Sequence, residues 1–511
     1  MPEEAQKNAR FKPTPTKQRR IFLTKNYGNF LNNYRFLLFI TLILRPQINP
    51  ELKKREYTLM DKHKLVTILL LAVMLQSADL LLAQSEEKLL NLQDAREYAL
   101  EHNYSLQSSE IDIDKARYRV KEAVSLGLPQ LEASVNYNDN MALPTQLLPG
   151  DFFDQPGQDV EIQFGTKYNA SLSGYVNQLL FSGSYIVGLQ ASKTFLQQSK
   201  KQFRKSKIDV IKTVSEAYFM VLATEEGIAV IDSTLNITRK LADETRIIFE
   251  NGFVEETDVD QLELLISDLE VSRIDALSQL EISKAYLKFY LGLNKEASLS
   301  LQENLEELVS ATTSQRLQAS NFEVHKNIDF QILKNQQDLA LLQVKLEKSN
   351  YMPTLSAFVS YQTQAQRGSW NFFNPDEKWF GSSVFGVNMN IPIFSSGQRH
   401  AKVKQAQFEH EKTKVAEKQL KSSLEIQFET TLNDYENALL NYTNTRKNKE
   451  IAAKIFRRTG IKYREGVASS LDLLNTHNQY LNAQSQYINA ALQVLNMGVS
   501  LESLLADAYQ D

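Results

Sequence analysis

The sequence predicts an α+β membrane protein built from two tandem repeats, each with two strands, a very long helix and a shorter helix. The first observation behind this prediction is internal repetition. Residues 103–138 and 327–362 both begin at Asn, follow a helical pattern, reach Pro129 or Pro353 and then alternate between apolar and polar residues. A recurring block of this kind indicates a duplicated unit. Alternating strand patterns and long stretches without proline are the second and third observations.

Further matches extend the repetition along the chain. Leu-Phe-Ser-Gly at 180–183 corresponds to Ile-Phe-Ser-Ser-Gly at 393–397, and FENGFVEETDVDQL from Phe249 corresponds to YREGVASSLDLLNT from Tyr463. The segment that differs in length lies between the two strands of the first repeat, which is typical of a loop. The predicted units are a first repeat over residues 84–292, an inter-repeat segment over 293–322 and a second repeat over 323–511.

The N-terminal region matches a secretory signal peptide at residues 60–83. Lys62, His63 and Lys64 form a basic head, Leu65–Leu75 is apolar, and Ala83 is a small residue at a plausible cleavage point. An apolar core of about ten residues is too short to span a bilayer. Residues 1–59 would place this signal at an internal position, so they are interpreted as an over-extended start.

Four segments alternate with the period of two that strands show. Leu131, Ala133 and Val135 are apolar between polar neighbours, and similar patterns occur near residues 169–177, 354–360 and 385–391, with Tyr175 and Phe358 as exceptions. An ordinary half-buried sheet shows the same alternation. A loop dense in aromatic residues favours a membrane barrel instead, because such residues form interfacial belts. These residues are Trp370, Phe372, Phe373, Trp379 and Phe380, with Phe152 and Phe153 in the equivalent loop.

Four strands are too few to close a barrel on their own. An open sheet edge in lipid leaves backbone groups unpaired at several kcal/mol each, so closure must come from further copies of the chain. Three copies would give a twelve-stranded barrel, which lies in the even-numbered range of known barrels. Hydrogen bonding requires the oligomer, although it does not fix the number three.

Two long helices are predicted, over about 185–250 and 399–465. The first contains no proline and only Gly188 and Gly227, and at 1.5 Å per residue it is about 100 Å long. Apolar residues recur at spacings of three and four, which predicts coiled-coil seams between polar faces. Such a narrow apolar stripe suits a helical barrel with water on both sides of its wall. A solid coiled-coil rod would show the same spacing, but it does not explain four strands that interrupt it.

Composition excludes several classes of function. With 57 basic and 61 acidic residues and a net charge of −4, the chain has no basic face for nucleic acid. No cysteine is present, so thiol chemistry and thiolate metal sites are excluded. The sequence contains no hydrolase or zinc-protease motif, and His400 and His410 fit solvated helix histidines better than a metal site. We therefore expect neither an enzyme nor a cofactor.

The combination of features closely resembles the TolC-type outer-membrane efflux proteins. The resemblance covers residues 90–507 and rests on the prolines that open strands, on the Phe-Ser-Gly and Phe-Ser-Ser-Gly exits into the long helices, and on the Tyr463-x-x-Gly466 turn. It implies a homotrimer with its barrel in outer-membrane lipid and its helices forming a periplasmic tunnel. It also implies an exit duct for efflux or type I secretion, docked to a periplasmic adaptor and an inner-membrane pump.

The resemblance also implies a gate where the helical hairpins turn. The candidate residues are Tyr463, Gly466, Asp472 and Asn475 in the second repeat, and Phe249, Gly252, Asp258 and Asp260 in the first. Threefold repetition of Asp472 would create a ring that favours cations. Helix capping is the alternative role, since Ser469-x-x-Asp472 and Thr257-x-x-Asp260 both match capping boxes.

Two readings without a conducting pore remain open at this stage. A trimeric coiled-coil surface protein would form stable oligomers that do not conduct. A periplasmic adaptor would also contain a long hairpin, but with one copy of the unit and glycine-rich soluble β domains.

Overall fold

The computed structural model describes residues 88–149, 151, 156–314 and 322–506. The predicted over-extended start, the signal peptide and the Phe152–Phe153 pair lie outside these residues. The first half contains β1 (Lys88–Leu90), α1 (Leu92–His102), α2 (Tyr104–Ser125), β2 (Gln130–Asp139), β3 (Thr145–Pro149), β4 (Asp159–Gln163), β5 (Tyr168–Phe181), α3 (Gly183–Glu250) and α4 (Glu256–Leu291). The second contains β6 (Leu299–Leu301), α5 (Leu305–Ser314), α6 (Ile328–Ser349), β7 (Thr354–Arg367), β8 (Phe380–Asn390), α7 (Gln398–Arg464) and α8 (Ser470–Leu505).

An asparagine at the equivalent position of each repeat caps the short helix that precedes the strands. The Asn103 side chain accepts hydrogen bonds from two backbone N–H groups in the first turn of α2, and Asn327 does the same for α6. Each side-chain amide also donates to the C-terminal region of the shorter hairpin helix, at Tyr290 O and Leu504 O respectively. Each capping asparagine therefore begins α2 or α6 next to the C-terminal end of α4 or α8, respectively.

The four main strands form one antiparallel sheet in the order β2–β5–β7–β8. Because directly paired residues share a face of the sheet, the register defines two different surfaces. One cross-strand row is apolar and consists of Leu131, Val176, Val359 and Phe385. A row on the opposite face is polar and consists of Ser134, Ser173, Gln362 and Ser382. The predicted alternation thus combines into one apolar face and one polar face, and β2 and β8 form the two edges.

The long helices confirm the prediction of uninterrupted rods. Helix α3 has 68 residues and α7 has 67, so each is about 100 Å long. Each packs against a helix of 36 residues, α4 or α8, and α2 and α6 pack against the remaining length of the long rods. No helix within the described residues is both long and apolar enough to cross a bilayer.

The main core lies where helices from both repeats meet the inter-repeat segment. Tyr218 of α3 is completely buried there and donates a hydrogen bond to Glu303 at 3.0 Å. The same carboxylate accepts a bond from the backbone N–H of Leu92 at 2.7 Å. Arg96 makes a two-pronged ion pair with Glu502 at the end of α8. These contacts join the start of the described chain to its end.

Three features of the fold differ from the sequence prediction. The segment between β2 and β5, predicted as a loop, contains the hairpin β3–β4. The inter-repeat segment contributes α5 and the strand β6, which pairs in parallel with β1. Helix α4 also begins at Glu256, earlier than the predicted cap at Thr257, and this moves its capping box.

Candidate gate at the tip of the helical hairpins

Each hairpin turns through a glycine in the left-handed backbone region. Gly252 has φ +80° and Gly466 has φ +70°, a conformation that disfavours any residue with a Cβ. The N–H of Gly252 donates to Phe249 O at 2.7 Å, and the N–H of Gly466 donates to Tyr463 O at 3.0 Å. The two turns therefore correspond as predicted: each has a left-handed glycine whose N–H donates to the carbonyl three residues earlier.

Asp472 caps helix α8. Its backbone N–H donates to Ser469 Oγ at 3.1 Å, and its carboxylate accepts from the Ser469 N–H at 3.0 Å and from the Ser469 hydroxyl at 2.8 Å. These hydrogen bonds, first of all the one from the backbone, lower the pKa of Asp472. The predicted capping box is confirmed, and the carboxylate keeps its negative charge while capping.

The capping box predicted for Thr257 and Asp260 is wrong. In α4 the N-cap is Glu255, whose backbone N–H donates to the carboxylate of Asp258 at 3.3 Å. Thr257 lies inside the first turn, where its hydroxyl donates to the Glu255 carboxylate. Asp260 is exposed and plays no part in the cap. Because the helix starts at Glu256, the capping pair shifts two positions toward the N-terminus.

Tyr463 connects the two hairpins at the tip. Its hydroxyl lies 3.2 Å from the hydroxyl of Thr245 on α3, and the ring is 8% exposed. Burial raises the pKa of Tyr463, so the phenol stays protonated and able to donate. Next to it, Arg464 pairs with Glu244 at 3.5 Å across the same helices. Sequence reasoning did not identify Thr245 or Glu244, because their partners lie more than two hundred positions away.

The remaining candidates surround this connection without joining it. Asn475 is exposed three residues after Asp472, so the two side chains lie on one side of α8. Phe249 is 37% exposed at the end of α3. Asp258 is held in the cap of α4, and Asp260 faces solvent. The described chain thus brings together Tyr463, Thr245, Arg464 and Glu244, while the acidic candidates stay at separate helix starts.

A small buried cluster lies below the tip, and a histidine packs against it. Leu241, Leu262, Phe456 and Leu473 pack around Tyr463. His477 of α8 contacts Phe456 edge-on at 5.3 Å between ring centroids, and it is only 1% exposed. Sequence analysis did not single out His477, because it lies in a polar run of α8.

The predicted interface aromatics lie at the far end of the sheet, in and after the β7–β8 loop. Phe372 is buried there, with its ring 5.9 Å from that of Tyr137 on β2. Trp370, Phe373, Trp379 and Phe380 remain exposed. The loop therefore folds over this end of the sheet around Phe372, and the other four side chains stay exposed.

A four-stranded sheet with one apolar face, continuous with two hairpins about 100 Å long, defines the subunit of a membrane channel with a helical extension. The chain belongs to the outer membrane efflux protein family, whose profile matches residues 95–293 and 324–507. This confirms the resemblance deduced from the residues. The family consists of channels rather than enzymes, and its relatives are outer-membrane proteins.

Relatives and solved structures agree with this assignment. TolC of Vibrio cholerae is 22% identical over 320 residues, which cover 62% of this chain and 68% of the relative. The alkaline protease secretion protein AprF of Pseudomonas aeruginosa is 24% identical, covering 68% of this chain and 70% of the relative. The crystal structure of VceC of Vibrio cholerae superposes with a TM-score of 0.62 at 13% identity, covering 82% of this chain and 97% of VceC. This structural likeness establishes the fold.

Proposed function

We propose that this chain forms a homotrimeric exit duct that crosses the outer membrane and extends into the periplasm. The observation that carries the proposal is the open four-stranded sheet, which has an apolar face and whose edges, β2 and β8, have no further strand partner within the described residues. In lipid these edges must pair with other copies, and three copies would close twelve strands. The apolar face then contacts outer-membrane lipid, and the polar face lines the pore.

The helical hairpins would continue the pore toward the inner membrane. A periplasmic adaptor and an inner-membrane pump would dock at the tip, where both hairpins turn. The family description supports efflux and the name of AprF supports secretion, and both kinds of cargo remain within the proposal. Outer-membrane location follows the relatives, and the signal peptide at residues 60–83 would direct export.

Conductance of the purified oligomer in planar lipid bilayers tests the proposal directly. We expect stepwise channel openings and a crosslinking ladder that stops at the trimer. Stable oligomers without conductance would support the coiled-coil surface protein instead. A ladder that ends at another number would contradict the twelve-stranded count.

The proposed role of Asp472 as a charged ring can be separated from its role as a cap. Asp472→Asn removes the charge, whereas Ser469→Ala removes the cap and keeps the charge. We expect reduced cation preference in Asp472→Asn only, because a ring of charge sets ion selectivity. An equal change in both variants would assign Asp472 to capping alone.

A further inference from the structure

Two aromatic side chains depart from the alternation of their strands, and the structure brings them together. Tyr175 of β5 and Phe358 of β7 lie on the polar face of the sheet, and their rings stack with centroids 5.7 Å apart. Tyr175 is 38% exposed and Phe358 is partly exposed, so neither ring is enclosed within the subunit.

A glycine makes room for this pair. Gly386 of β8 lies directly opposite Phe358, and a Cβ at that position would come within 2.6 Å of the Phe358 ring. The ring therefore lies flat across the backbone of the neighbouring strand. Covering a strand glycine with a cross-strand aromatic residue is a known stabilising arrangement, and it accounts for Phe358 but not for the exposed Tyr175.

The pair also has a charged neighbour. Glu132 of β2 lies directly opposite Tyr175 in the register, which places the two Cβ atoms about 5 Å apart. Within the four main strands, Glu132 is the one charged residue on the polar face; the other positions of that face carry neutral side chains. One carboxylate and two aromatic rings thus form a compact cluster on an otherwise neutral surface.

We propose that Glu132, Tyr175 and Phe358 form a binding site for organic cations that carry an aromatic or apolar group. Aromatic faces attract cations through the ring quadrupole, and a carboxylate adds direct charge attraction. An aromatic anion would meet the same rings but be repelled by Glu132. A small inorganic cation would gain the charge attraction but not the ring contact. The inference rests on the proposed function, because only an oligomeric barrel turns this face toward a pore.

The site lies where cargo would enter the barrel from the helical tunnel. Glu132 is the third residue of β2, which follows α2, and Phe358 is the fifth residue of β7, which follows α6. Symmetry would repeat the site once per subunit around the same level of the pore. A passing organic cation would therefore meet several equivalent contacts at one depth.

Block of the channel current by small probe ions tests the site. Benzyltrimethylammonium carries both the charge and the ring, tetramethylammonium carries only the charge, and benzenesulfonate carries the ring with the opposite charge. We expect the wild-type oligomer to bind benzyltrimethylammonium most tightly. Tyr175→Leu should weaken that block about two- to fivefold, the size expected from one exposed cation–π contact. Glu132→Gln should reduce the preference for benzyltrimethylammonium over benzenesulfonate by a similar factor.

Tyr361→Leu is the matched control, because Tyr361 lies on β7 three residues from Phe358 and on the opposite face. It makes the same substitution without touching the site, and Phe358 is left in place in every variant so that Gly386 stays covered. Equal block of wild type, Tyr175→Leu and Glu132→Gln would overturn the inference while leaving the channel intact. An oligomer that does not conduct would overturn both the proposed function and the site.

Discussion

Acid should loosen the tip of the second hairpin through His477. The side chain is 1% exposed, and neither ring nitrogen makes a hydrogen bond of normal geometry within the described chain. Burial lowers the pKa of His477 from 6.5 to about 4, an effect that the adjacent Asn478 offsets only in part. The packed tip therefore holds a neutral imidazole at neutral pH.

The size of the effect follows from the two pKa values. A base whose pKa is lower in the packed state stabilises that state above the ordinary pKa, and this stability declines as the pH falls from about 6.5 toward 4. Between pH 7 and pH 5 the population of the opened tip should rise about twentyfold, or about 2 kcal/mol. The opened tip hydrates the imidazole, which then takes up a proton.

Hydrogen–deuterium exchange of peptides from the first half of α8 measures this opening. Wild type and His477→Leu are compared at the same pH, so the intrinsic pH dependence of exchange cancels. We expect the ratio of their exchange rates to change about twentyfold between pH 7 and pH 5. His400→Gln, which alters an exposed histidine of α7, should behave like wild type. A ratio that stays constant over this range would refute the reasoning.

Four further predictions concern the tip, the glycines and the cap of α8. Tyr463→Phe removes the hydroxyl contact with Thr245, worth about 1 kcal/mol, and should raise the open probability of the channel. Gly466→Ala should cost about 1–2 kcal/mol for its left-handed backbone alone, because nothing lies near its missing Cβ. Gly292→Ala should lower the midpoint of thermal dissociation further, since its Cβ would lie 2.2 Å from a backbone oxygen at the end of α1. Ser469→Ala should cost about 1 kcal/mol and speed amide exchange in the first turn of α8.

Helices and strands with a strong periodic pattern could be predicted from the sequence, whereas contacts between distant residues could not. Long helices and alternating strands follow from local patterns, so their positions agree with the structure to within a few residues. The hairpin β3–β4 was missed because length variation usually indicates an irregular loop. Strands β1 and β6 have three residues each, too few for any period to be visible.

At the candidate gate, too, the local motifs could be predicted from the sequence and the contacts between distant residues could not. The turn glycines and the Ser469–Asp472 cap are local motifs, and the sequence locates them correctly. The contact between Tyr463 and Thr245 depends on how two hairpins pack, and one sequence carries no signal for that pairing. The pairing of Tyr175 with Phe358 was likewise visible only as two separate exceptions to alternation.

The two hairpins share a backbone plan but are stabilised by different chemistry. Helices α3 and α4 are joined by half-exposed ion pairs, namely Arg239–Glu270, Arg246–Glu263 and Arg273–Asp232. Each contributes at most about 1 kcal/mol and is screened by salt. Helices α7 and α8 are joined by aromatic contacts, including Tyr442–Tyr487 and the Lys449 ammonium 3.6 Å above the Tyr487 ring.

Because of these differences, we expect the first hairpin to respond to salt and the second to acid. Salt weakens the ion pairs of the first hairpin, whereas the contact between the Tyr442 and Tyr487 rings of the second depends on excluding water and responds little to screening. Acid acts on the second hairpin, because that is where the neutral imidazole of His477 is buried. The Tyr463–Thr245 contact joins the two hairpins, so a disturbance of either one reaches the same point at the tip. The two repeats therefore share one backbone scaffold, and their different side chains should make the two halves respond to different conditions.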